Sequence, residues 1–138
     1  WGDVSGEARF LPHNHEPNCI VYSGTHDNNT SIGWLNEEAT PAMTHHLNVY
    51  LDREAGDIQW EFIHMGEASV ARIFLVPLQD VLGLDSWARM NLPGREGGNW
   101  GWRATAQDFE TPGMARLQHF TRIYGRALPP ASSEEAEA

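Results

Sequence analysis

Two short apolar runs punctuate this chain, one from Cys19 to Ser23 and one from Ile73 to Leu78. Neither alternates with polar residues, which is the pattern of parallel strands covered on both faces. Between them, apolar positions recur at helical spacing. Asn36 is placed to N-cap a short helix with Glu37 and Glu38 in its first turn. Thr40-Pro41 opens a second helix, since proline suits the first helical position. Asp57 starts a third, with Ile58, Phe62, Met65 and Ser69 spaced along one face. Past the second strand, Gln79 to Arg103 reads as one long loop rich in Gly, Asn and Trp. A connection of that length inside a compact domain is functional or disordered. Thr111-Pro112 begins a last helix, with Met114, Leu117, Thr121 and Tyr124 on one stripe and Gly125 as its stop. Residues 1–9, polar and glycine-containing, read as loop.

The predicted order is strand, loop, helices, strand, long loop, helix, a βαβα run of the α/β class. Two strands cannot bury a parallel sheet on both faces. A closed (β/α)8 TIM barrel takes roughly 200–250 residues, and this chain has 138. The expectation is therefore the last quarter of such a barrel, about two β/α units, incomplete in this chain. Residues 1–126 form that barrel portion. Residues 127–138, ending Ser-Ser-Glu-Glu-Ala-Glu-Ala, form a disordered acidic tail.

Charge and composition narrow the partners. A formal net charge of −10 repels phosphate backbones, so nucleic acid is excluded as a ligand. No apolar run is long enough to span a bilayer, which excludes a membrane-embedded chain. No basic stretch followed by an apolar one opens the sequence, so no secretory leader is expected. Residue 1 is Trp rather than Met, which leaves room for a missing start or leader. Cys19 is alone, rules out an internal disulfide and suits a reducing, cytoplasmic setting. Lying in an apolar run, it reads as a small buried hydrophobe. Six Trp residues are many for this length. Each is either ordinary packing or a flat apolar platform of the kind that sugar rings use.

The chemistry concentrates just past the first strand, where α/β enzymes place their functional groups. There the loop Gly24 to Ile32 carries the pair His26-Asp27. A loop Asp can also be solvated or cap a helix, and a loop His can bond a backbone carbonyl, so residue type alone does not assign either. Asn91 precedes Leu92-Pro93-Gly94 and fits turn chemistry as well as binding. Asp80, directly after the second strand, reads as a structural residue that positions the 79–103 loop. Metal sites are not expected. His13 and His15 match no known zinc spacing, and His45-His46 point to opposite sides of a helix. Asp27, Asn29, Ser31 and Glu38 fall at calcium-loop positions, but Ile32 occupies the position that needs Gly.

Several motifs occur in order: Phe10-Leu11-Pro12-His13-Asn14, Tyr22-Ser23-Gly24-Thr25-His26-Asp27-Asn28-Asn29-Thr30, Val76-Pro77-Leu78-Gln79-Asp80-Val81-Leu82-Gly83-Leu84, and Arg89-Met90-Asn91-Leu92-Pro93-Gly94 followed by Gly98-Asn99-Trp100-Gly101-Trp102-Arg103. Together they closely resemble the C-terminal part of 4-α-glucanotransferases, the amylomaltases or disproportionating enzymes of the α-amylase clan. The resemblance runs to about Arg126. It implies a (β/α)8 catalytic barrel that cuts an α-1,4-glucan donor and passes the segment to the 4-hydroxyl of an acceptor sugar, without a cofactor. In that family an Asp nucleophile and a Glu acid/base follow the fourth and fifth strands, and a third carboxylate follows the seventh. Asp27 matches the third, transition-state-stabilising carboxylate. His26 and Asn91 match residues that touch the glucan. The nucleophile and acid/base have no counterpart here, so the missing N-terminal part of the same polypeptide is the implied partner, and the isolated chain is expected to be inactive. Two readings from other classes remain beside this one: a non-catalytic α-glucan-binding module, and a structural half-barrel awaiting a complementary chain.

Overall fold

A computed structural model describes residues 5–128. The expected acidic tail lies, from residue 129 on, outside the described residues. The two apolar runs form strands β1 (Ile20–Tyr22) and β2 (Ile73–Leu75). They pair in parallel, with Ile20 opposite Ile73, Val21 opposite Phe74 and Tyr22 opposite Leu75. Parallel neighbours need a crossover. Here it consists of α1 (Ser31–Gly33), which continues into a π-helical stretch Trp34–Glu38, then α2 (Pro41–Leu51) and α3 (Ile58–Ala68). After β2 come α4 (Leu78–Leu82), a long irregular segment, and α5 (Pro112–Ile123). The molecule is helix-rich around a small parallel sheet.

The caps follow the sequence reading at most ends. Thr40 Oγ1 accepts the Met43 amide at 3.3 Å, with Pro41 behind it at the first helical position. Asp57 occupies the N-cap of α3, and Gly125, at φ +66°, follows α5. One cap is corrected. Asn36 lies inside the π-helical stretch and starts nothing. The cap is Thr30, whose Oγ1 accepts the Gly33 amide at 3.0 Å. The second apolar run is also shorter than read, because Pro77 stops the ladder and Leu78 opens α4. The segment taken as loop from residue 79 is thus helical in its first turn.

The core lies between α3, α4, α5 and the inner face of β2. Trp60, Ile63 and Val81 are buried there, with Phe74, Leu78, Met114, Leu117 and Phe120 packed around them. Gly66 is what allows α3 to seat on the sheet, since a Cβ at that position would collide with the Phe74 ring. Arg126 fastens α5 back onto the end of α3. Its Nε donates to Glu67 O at 2.8 Å and its Nη2 to Ser69 O at 2.7 Å, a favourable place for a cation.

The outer face of the sheet is different. Ile20, Tyr22, Ile73 and Leu75 are each 44–49% exposed. Strands read as covered on both faces are therefore covered on one only. The alternation places four apolar side chains on the bare side. Cys19, expected to be buried, is only partly so.

Candidate active site

The C-terminal ends of β1 and β2 open into a cleft of about 640 Å³. Its walls include Tyr22, His26, Asp27, Leu75, Gln79 and Arg89. The location is the one the strand-loop pattern predicts.

The loop between Ser23 and Ser31 is fixed at both ends by one buried side chain. Asp80, 2% exposed, accepts the Ser23 hydroxyl at 2.9 Å through Oδ2 and the Ser31 amide at 2.8 Å through Oδ1. Its role is structural, as expected, but the loop it positions is the one carrying His26 and Asp27. The 79–103 segment is tied down instead by Gln79, whose Nε2 donates to Ala88 O at 3.2 Å. Within the loop, Asn28 Oδ1 accepts both the amide and the hydroxyl of Thr25, at 2.8 and 2.9 Å.

Three residues singled out from the sequence meet at the Asp27 carboxylate. Asn91 Nδ2 donates to Asp27 Oδ1 at 2.6 Å. His26 Nε2 lies 3.3 Å from the same oxygen. The backbones are joined as well, Asn91 N donating to His26 O at 3.0 Å. Both polar contacts to the Asp27 carboxylate fall on Oδ1, which leaves Oδ2 without a donor among the described residues. The side chains of His26 and Asp27 are 57% and 49% exposed. Such a carboxylate is held in place on one oxygen and open on the other, as acceptance of a ligand's hydroxyls requires.

Arg89 was not singled out by sequence reasoning, yet it organises the cleft. Its Nη2 donates to Asp27 O at 2.8 Å, its Nε to Asn91 O at 2.9 Å, and its Nη1 to Glu38 Oε1 at 2.9 Å. One planar guanidinium therefore joins the loop after β1, the loop after α4 and the π-helical stretch. Its position two residues before Asn91 in a quoted motif was the available signal.

A parallel strand pair thus carries a carboxylate, an imidazole and an amide that converge at its C-terminal edge, where proteins of the α/β class bind their ligands. The 4-alpha-glucanotransferase family model matches residues 1–108, so the chain belongs to that family. It is 43% identical over 124 residues to the 4-alpha-glucanotransferase of Thermus thermophilus, covering 84% of this chain and 25% of that protein. It is 44% identical over 124 residues to the chloroplastic/amyloplastic 4-alpha-glucanotransferase of Arabidopsis thaliana, covering 84% of this chain and 21% of that one. It resembles in structure the amylomaltase of Streptococcus agalactiae in complex with acarbose, with a TM-score of 0.83, 33% identity, and coverage of 91% of this chain and 26% of that one. The chain thus spans about a quarter of the length of the relatives it matches.

Proposed function

We propose that this chain supplies one wall of the active site of a 4-α-glucanotransferase that acts by a retaining mechanism, and that its β1 and β2 belong to the last two β/α units of a (β/α)8 barrel. The observation that carries the reading is the convergence of Asn91 and His26 on one oxygen of Asp27 at the C-terminal edge of parallel strands. Retaining glycosyl transfer needs two carboxyls about 5–5.5 Å apart, one to attack the anomeric carbon and one to protonate the leaving oxygen. Asp27 takes neither role. Its open oxygen accepts sugar hydroxyls, and those bonds strengthen as the ring flattens and positive charge develops. Its negative charge also helps keep the acid/base carboxyl protonated until it is needed. His26 donates to a hydroxyl of the same sugar, and Asn91 holds Asp27 while contacting the glucan. The nucleophile and the acid/base come from the part of the relatives' length that this chain does not span. Donor and acceptor are α-1,4-glucans and their small sugars, and the lone Cys19 suits a reducing, cytoplasmic compartment.

The test uses maltotriose. Residues 1–138 alone should release no glucose and form no longer dextrins. A chimaera in which this chain replaces the matching quarter of the Thermus thermophilus relative should do both. Sustained turnover by the isolated chain, or a folded but inert chimaera, would sink the reading.

A further inference from the structure

Two non-glycine residues among the described ones have left-handed backbone, Asp52 at φ 55° and Trp100 at φ 60°. Asp52 follows the last turn of α2, where a short polar side chain tolerates that conformation. Trp100 is a bulky aromatic residue in an irregular segment, and its conformation is strained. Glycine stands at 98 and again at 101, so the residue that would relieve the strain lies next door. Core packing does not explain the choice either, because Trp100 is 49% exposed. By contrast, Trp60 is buried beneath Arg116, whose guanidinium lies 4.3 Å from the ring centroid, and Trp34 packs on Phe62.

What the strained turn achieves is a contact. The Trp100 indole lies against the His26 imidazole, with ring centroids 5.3 Å apart and an interplanar angle of 34°. Hydrogen bonds hold the turn from several sides. Trp100 N donates to Met90 O at 2.6 Å. Arg103 Nη1 donates to Trp100 O at 2.5 Å and to Trp102 O at 2.8 Å. Asn99 Oδ1 accepts the Leu92 amide at 3.0 Å, and its Nδ2 donates to Arg95 O at 2.8 Å. The two arms of the 90–100 loop are therefore braced against each other. One delivers Asn91 to Asp27, and the other delivers Trp100 to His26.

We propose that Trp100 is a sugar-binding residue of this site, an apolar platform for the glucosyl ring next to the one held by Asp27 and His26. The inference rests on the glucanotransferase reading above. A pyranose presents a flat C–H face with hydroxyls at its rim, which suits an indole packed on one side and open on the other. The fold tolerates backbone strain because the loop over-determines the turn, and the result is an aromatic surface against the His26 imidazole.

The test compares Trp100→Ala, Trp100→Phe and Trp100→Gly in the chimaera with the Thermus thermophilus relative. Acarbose affinity is read by titration calorimetry, and kcat and KM are measured with maltotriose. Trp100→Ala should weaken acarbose binding about tenfold and raise KM, with kcat held within about threefold, the mark of a contact made in ground and transition states alike. Trp100→Phe should recover most of the loss. Trp100→Gly should bind as weakly as Trp100→Ala while melting at no lower temperature, since glycine adopts the left-handed conformation freely. Acarbose affinity unchanged in Trp100→Ala, or restored in Trp100→Gly, overturns the proposal and leaves Trp100 a loop-shaping residue. An unsubstituted chimaera that folds but neither binds acarbose nor turns over maltotriose overturns the parent reading, and this inference with it.

Discussion

The Asp80 carboxylate accepts the backbone amide of Ser31 at 2.8 Å, across 49 positions of sequence. Because its other oxygen takes the Ser23 hydroxyl, a residue on α4 clamps the loop that presents His26 and Asp27. The start of α4 thus sets the geometry of a site on β1, and it does so from inside the protein, out of reach of any ligand.

Asp80→Ala should therefore cost both stability and activity. It would leave a buried amide and a hydroxyl without an acceptor, about 2–4 kcal/mol for the two together. Asp80→Asn keeps one acceptor oxygen and should cost about half as much. Urea denaturation of the chimaera checks the order, and a variant as stable as its parent would contradict it.

Much of this frame is legible in the sequence, for identifiable reasons. The apolar runs of β1 and β2, Thr40-Pro41 and Thr111-Pro112 are local signals, and each appears where the pattern predicts. His26, Asp27 and Asn91 are legible through the ordered motifs, and the structure brings all three together. What escaped is what long-range partners decide. Thr30 outcompetes Asn36 as a cap because Asp80 holds the next amide. Arg89 acts through contacts with residues 38 and 27, more than 50 positions away. The left-handed Trp100 follows from a braced loop and not from any preference of tryptophan.

Acid should weaken the α2–α3 connection through Glu61. Arg53 grips this buried carboxylate with two hydrogen bonds of 2.6 and 2.7 Å, and the Gly56 amide adds a third at 3.1 Å. The hydrogen-bonded Arg53 guanidinium holds the Glu61 carboxyl below the usual range, against the opposing effect of burial. A depressed folded-state pKa means stability that is fully present above the unfolded value of about 4.3 and is lost as pH falls through the lower folded value. In the chimaera, Glu61→Gln should be clearly destabilising at neutral pH, and the gap from its parent should close below about pH 4. Urea midpoints at a series of pH values read this directly. A gap that does not change with pH would remove the ion pair from the account.

The bare face of the sheet gives a prediction for the isolated chain. Ile20, Tyr22, Ile73 and Leu75 stand half-exposed on two paired strands whose outer edges meet no further strand among the described residues. Exposed apolar strands associate with other chains. Residues 1–138 alone should bind ANS and self-associate, with weak near-UV dichroism. The double substitution Ile20→Lys and Ile73→Lys should reduce that association. A monomer with a sharp cooperative melt and no dye binding would mean that this face needs no cover, and would favour a self-sufficient glucan-binding module.

Asp27→Asn is the substitution that separates charge from shape at the centre of the site. The change is nearly isosteric, and Asn91 keeps an oxygen to donate to, so the loop should hold its form. What disappears is the negative charge on the open oxygen, the group that best accepts sugar hydroxyls as the transition state develops. Loss of one such preorganised interaction costs on the order of 100-fold in rate, roughly 3 kcal/mol. Because the interaction tightens mainly in the transition state, kcat should fall more than KM rises. His26→Ala should be milder and weigh more on KM, since a donor to a hydroxyl also serves the bound ground state. It also strips Trp100 of its ring partner, so its KM effect should overlap with that of Trp100→Ala and the double variant should fall short of additivity. Steady-state kinetics of the chimaera with maltotriose, alongside circular dichroism to confirm folding, measure all four variants. A folded Asp27→Asn enzyme with near-parental turnover would take Asp27 out of the chemistry and leave it a scaffold for Asn91 and Arg89.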